Sequence, residues 1–183
     1  MTSAPRPTSQ IANAITGVRL ALAVALWAVP ATSPWTLVTI GAVAAVLDAV
    51  DGPVARRTGG TSRAGARFDM ETDAFLIATL AVLVWRLGKA GPWVILSGAL
   101  RYLFVAGGWI WPWLDGDLPP SRRRQAVCVV QVVALVVALA PIVSPPLSAP
   151  LSAGALALLA WSFWVDVAWL ARRARSQRPG ARG

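Results

Sequence analysis

Histidine is absent from this chain of 183 residues, and cysteine occurs once, as Cys128. The first absence excludes His-based catalytic triads, imidazole metal sites and histidine acid–base catalysis, so any proton transfer falls to carboxylates. The second excludes an intramolecular disulfide framework. Cys128 lies in an apolar run and reads as packing. Charge is scarce too: 14% of the residues are charged, against about 25% in a typical soluble domain. Only eight residues are acidic.

What fills the space is apolar. Hydrophobic residues make up 56% of the chain, and the mean hydropathy is +0.60. Repeated apolar runs of about 20 residues are the length of membrane helices. The net charge is +9, but the basic residues gather at the ends of these runs. That placement suits anionic lipid headgroups rather than nucleic acid. The length fits one domain. The expected fold is an all-α polytopic membrane protein with six transmembrane helices. The spans fall at residues 11–29, from 33 into the acidic stretch, 63–87, 92–113, 126–140 and 151–171. Thr8 or Ser9 is the expected helix cap, and 141–150 is expected as a proline- and serine-rich turn. Residues 1–8 read as a flexible lead, 9–171 as the membrane domain and 172–183 as a basic tail. The first apolar run leads into the acidic stretch rather than a cleavage site, so no cleavable signal is expected. Thirteen arginines fall on one side of such a topology, with Arg86 and Lys89 on the other. The positive-inside rule then puts both termini and the acidic stretch at the cytoplasm.

Five of the eight acidic residues lie between Asp48 and Asp73. Asp48 and Asp51 are three apart, Asp69 and Asp73 four apart, so on helices each pair projects from one face. Gly52, Arg56, Arg57, Gly59, Gly60, Arg63 and Gly65 lie between the pairs. Two carboxylate pairs on adjoining helices, joined by a basic, glycine-rich bend, describe a divalent-metal site that holds a phosphate ester. Carboxylates are hard ligands, which selects Mg²⁺ or Mn²⁺, and two pairs can hold two ions.

This stretch resembles the signature of the CDP-alcohol phosphotransferases, D-x-x-D-G-x-x-A-R-x(8)-G-x-x-x-D-x-x-x-D. Asp48, Asp51, Gly52, Ala55, Arg56, Gly65, Asp69 and Asp73 fill it without departure. Eight matched positions make a chance hit rarer than roughly 10⁻⁸ per window. Asn13-Ala14-Ile15-Thr16-Gly17-Val18-Arg19 is similar to the N-x-L-T-x-x-R opening of many family members, with isoleucine for leucine. The resemblance implies transfer of a phosphatidyl group from CDP-diacylglycerol to a polyol or polyol-phosphate hydroxyl, with release of CMP. It implies metal binding by Asp48, Asp51, Asp69 and Asp73, with Asp73 also acting as general base. The CDP moiety would meet Gly52, Ala55, Arg56, Gly65, Asn13 and Thr16, with Arg19 on the same face. A homodimer in a bacterial inner membrane is the corresponding expectation, with the active site facing the cytoplasm.

The acceptor is the least defined part. Arg101, mid-span, is a functional candidate by position, or else an internal ion pair with Asp166. Phosphatidylglycerophosphate synthases carry an arginine at a similar place, followed by a loop near R-G-G-K-x-K-T. Here Leu118–Gln131 matches only loosely at Ser121, Arg122 and Gln131. Arg122 is therefore either an acceptor ligand or a membrane anchor. Glu71 is expected to pair with Arg67. Two rivals remain: headgroup transfer from a soluble CDP-alcohol to a lipid, and a divalent-cation transporter. The transporter reading lacks the repeated halves and midplane site such proteins use.

Overall fold

The computed structural model describes residues 7–57, 63–116, 118–119 and 121–176, with side chains for 14–48, 65, 67–114, 116, 118–119 and 121–176. Among the described residues there are six α-helices and no strand. They are α1 (Pro7–Ala28), α2 (Pro34–Arg57), α3 (Arg63–Arg86), α4 (Leu96–Ile110), α5 (Arg122–Leu139) and α6 (Pro145–Ser176). Short 3₁₀ turns at Pro92–Ile95 and Pro112–Asp115 bracket α4.

Proline and glycine punctuate the chain. Pro7 opens α1, where a missing N–H costs nothing; Thr8 and Ser9 lie inside the helix rather than capping it. Pro30 cannot extend α1, and its carbonyl accepts from Ser33 N at 3.0 Å. α3 ends in a Schellman turn. Gly88 takes φ +66, Gly88 N donates to Trp85 O at 2.9 Å, and Lys89 N donates to Val84 O at 3.0 Å. The expected turn over 141–150 is shorter than foreseen, because α6 already starts at Pro145. Pro145 and Pro146 occupy positions whose N–H groups would have no helical partner, while Ser144 O accepts from Leu147 N and Ser148 N, both at 2.9 Å. Pro150 then costs the helix a single bond.

The packing is a ring of four helices with two outriders. α1 packs on α2, α2 on α5, α5 on α3, and α3 on α1, which closes the ring. α4 lies against α3, and α6 against α5. One half of the ring interior is mainly apolar. Leu26, Leu37, Leu76, Leu80, Val84, Leu135 and Leu139 are fully buried there. That end is also tied across its turns. Lys89 Nζ donates to Ala140 O at 3.0 Å and Val143 O at 2.6 Å, taking up carbonyls at the end of α5. Ser148 Oγ donates to Lys89 O at 2.5 Å. The outriders turn apolar side chains outward: Leu103, Trp109, Ile110, Leu147 and Trp164 are all more than half exposed.

Two stretches, Pro92–Ile110 and Pro145–Ser176, are long and apolar enough to cross a membrane. The apolar parts of α1 and α2 are shorter, Ala14–Ala28 and Pro34–Asp48. Both helices continue past them, α2 into its charged end.

α3 and α4 meet most closely at Gly98. A methyl there falls inside van der Waals contact of Ala78 Cα and Cβ and 3.0 Å from Ala78 N. Backbone cannot yield as a side chain can. Gly98→Ala is therefore expected to lower thermal stability in detergent by about 1–3 kcal/mol. Gly154→Ala, whose methyl meets nothing within 4 Å, is expected to leave the melting curve unchanged or slightly raised.

Candidate active site

The opposite half of the ring interior is ionic. Asp48 comes from α2, Asp69 and Asp73 from α3. One carboxylate oxygen from each lies within 4.8 Å of the others. The four-residue interval puts Asp69 and Asp73 one above the other on α3. The contact of α1 with both α2 and α3 brings Asp48 to them.

At the centre stands Arg19 of α1, 1% exposed. Its Nη1 is 2.9 Å from Asp69 Oδ1, its Nη2 is 2.9 Å from Asp48 Oδ1, and Nη2 also bonds Asp73 Oδ1. Thr16, one turn earlier, donates from Oγ1 to Asp69 Oδ1 at 3.5 Å. α5 completes the lining, with Cys128 Sγ 4.0 Å from Asp73 Oδ2. Each helix of the ring thus supplies at least one group. Arg19 Nε is buried and has no hydrogen-bond partner.

This donor set suits a hard divalent cation. Mg²⁺ holds oxygens at 2.0–2.1 Å, so opposite ligands lie about 4.2 Å apart. The carboxylate oxygens all lie within 4.8 Å of one another, within reach of one shared ion. Three partly exposed carboxylates against one buried guanidinium also leave negative charge uncompensated.

Other expected site residues fall as follows. Asn13 lies on α1 and Asp51, Gly52, Ala55 and Arg56 on α2, but their side chains are outside the described residues. Gly65 sits one turn before Asp69 on α3. Arg101 stands away from the triad. Its partner is Glu71, at 2.9 Å, rather than Asp166. Glu71 correspondingly does not pair with Arg67: two residues past Asp69 it projects from the far side of α3, where α4 packs. Asp166, 7% exposed, instead takes Arg123 and, at 3.5 Å, Arg124. Arg123 Nη1 also donates to Ser162 O at 3.0 Å, and its guanidinium lies 5.6 Å from the Trp161 ring centroid. Arg122, next to them, is exposed.

Two features escaped the sequence reading. Arg19 was placed on the nucleotide side, not inside the carboxylate cluster. The available signal was its position in an apolar helix, since a buried arginine demands counter-charge. Cys128 gave no signal, because only the packing of α5 on α3 brings it to Asp73.

Fold and site together define an all-helical protein whose buried centre is built to hold positive charge beside a phosphate-handling motif. The chain belongs to the CDP-alcohol phosphatidyltransferase family, whose sequence model matches residues 9–170. The family transfers a phosphatidyl or phospho-alcohol group from a CDP-alcohol. No curated protein and no solved structure matches the chain.

The Asp166 cluster joins the start of α5 to α6 outside the triad. Asp166→Asn leaves two guanidiniums without their carboxylate. Because Arg123 and Arg124 remain about a quarter exposed (24% and 27%), the expected loss is about 1–3 kcal/mol, below that for a fully buried pair. Thermal unfolding in detergent reads it, and Mn²⁺ binding at the triad is expected to be unaffected.

Proposed function

We propose that this protein transfers a phosphatidyl group from CDP-diacylglycerol to a hydroxyl of a polyol or polyol-phosphate acceptor, releasing CMP, in phospholipid biosynthesis. The observation that carries the reading is the convergence of Asp48, Asp69 and Asp73, all motif positions, on one point between α1, α2 and α3. Asp51, three residues beyond Asp48 on α2, completes the ligand set in this reading. Either Mg²⁺ or Mn²⁺ suits these oxygens, and two ions match four carboxylates. When bound, such cations neutralise the diphosphate and the charge that develops on its oxygens.

The chain's own groups do the rest. Asp48, Asp51 and Asp69 hold the charge centre in place. Asp73 accepts the proton of the acceptor hydroxyl through its carboxylate. The acceptor oxygen forms the new bond to the β-phosphorus, the bond from that phosphorus to the bridging oxygen breaks, and CMP leaves with that oxygen. Arg56 contributes charge-assisted hydrogen bonds to phosphate. Gly52, Ala55 and Gly65 keep the backbone accessible to cytidine and ribose, and Asn13 and Thr16 face the same nucleotide. Arg101 and Arg122 are the proposed acceptor-side residues, and of the two only Arg122 is exposed in the present arrangement.

The protein in this reading crosses a bacterial inner membrane six times, with both termini and the site at the cytoplasmic face. Exposed apolar side chains on α4 and α6 support lipid contact, as do two span-length helices. The last turns of α6 carry Arg172, Arg173 and Arg175, the charge that favours the cytoplasmic side. A lipid donor has its diphosphate at headgroup level and its tails in hydrocarbon, so a site at this depth receives both. The functional form is taken to be a homodimer.

Purified protein with CDP-diacylglycerol, Mg²⁺ and a panel of polyols and polyol phosphates is expected to release CMP with at least one acceptor. A soluble CDP-alcohol with diacylglycerol is expected to give none; CMP from that pair alone would reverse donor and acceptor. Asp73→Asn is expected to lower release by on the order of 10²–10⁴-fold, the range lost with a general base. Equal release from variant and wild type would remove Asp73 from that role. Chelation with EDTA is expected to abolish turnover and Mg²⁺ to restore it.

A further inference from the structure

We infer that Arg19 is a resident counter-cation of the carboxylate triad, displaced by the divalent cation when the metal binds. This rests on the metal-centre reading above and goes beyond it by assigning a built-in competitor. Three observations carry it. First, one guanidinium bridges all three carboxylates, so it stands where a shared cation would stand. Its terminal nitrogens hold Oδ1 of each carboxylate, so a metal ion shared by the three would compete with them. Second, Arg19 is only 1% exposed, yet its Nε–H has no acceptor. A buried donor left unpaired is unfavourable. The guanidinium is therefore held by charge, not by a complete set of hydrogen bonds. Third, one positive charge against three negative ones leaves a deficit that an added divalent cation corrects better than arginine does.

The arrangement has a use. Three carboxylates crowded within 4.8 Å repel one another unless a cation lies between them. Arg19 holds the ring closed until metal arrives.

The test is metal affinity without substrate. Full-length wild type, Arg19→Gln and Arg19→Lys are purified in detergent with Mg²⁺, stripped, and titrated with Mn²⁺ alone under EPR detection. Arg19→Gln removes the competing charge and is expected to bind Mn²⁺ about ten-fold more tightly or better. It is also expected to melt lower than wild type when stripped, and to gain more from added metal. Arg19→Lys keeps a cation and is expected to stay within about three-fold of wild type. Mn²⁺ binding by wild type with equal or weaker binding by Arg19→Gln overturns the displacement while leaving the metal centre standing. No Mn²⁺ binding by any of the three overturns both. If the Gln variant does not survive stripping, arginine-labelled wild type decides. Mg²⁺ is expected to shift the Arg19 Nε–H resonance, assigned by its absence in Arg19→Lys, and an unmoved resonance overturns the inference.

Discussion

Negative charge confined inside an apolar ring is the constraint on which this structure depends. Asp48, Asp69 and Asp73 project into the space between α1, α2 and α3. They stay partly exposed, Asp69 at 45% and the other two at 21%, but crowd within 4.8 Å of one another. A cation has to be present, and in the protein alone it is Arg19. Removing the carboxylates would leave the guanidinium buried and unpaired, which is far costlier than never having buried the pair. The ring's geometry follows from that requirement. Two helices supply carboxylates, a third supplies the guanidinium, and the fourth seals the side with Cys128.

The remaining helices protect and orient this centre. The opposite end of the ring is packed with leucine and valine and cross-tied by Lys89 and Ser148. Such an end resists opening, so any movement that admits substrate is left to the charged end. There, Arg123 and Arg124 fasten α5 to α6 through Asp166. α6 has 32 residues, about 48 Å of helix, which exceeds a hydrocarbon core of about 30 Å. Its arginine-bearing end lies at the same end of the bundle as the carboxylates.

Much of this was legible from spacing alone. The interval of four residues puts Asp69 and Asp73 on one helix face, and several helix ends lie at proline or glycine, among them the left-handed Gly88. What spacing could not reveal was which helix faces which. Arg101 finds Glu71 and Asp166 finds Arg123 because α4 lies on α3 and α6 on α5. Long arginine side chains reach several partners, so sequence distance says little about the pair they choose. The start of α6 was misplaced for a different reason. Pro145, Pro146 and Pro150 read as helix breakers, yet the first two occupy positions where a helix has no use for an N–H. Arg19 is the most informative case: its burial is intelligible only once the carboxylates of two other helices are seen around it.

Locating the cation directly would judge the account. A crystal of the full chain grown with Mn²⁺ and measured for anomalous scattering is predicted to show a peak bonded to oxygens of Asp48, Asp69 and Asp73, with Asp51 as a neighbour. Manganese bound elsewhere, or carboxylates still closed on Arg19 at saturating Mn²⁺, would contradict it.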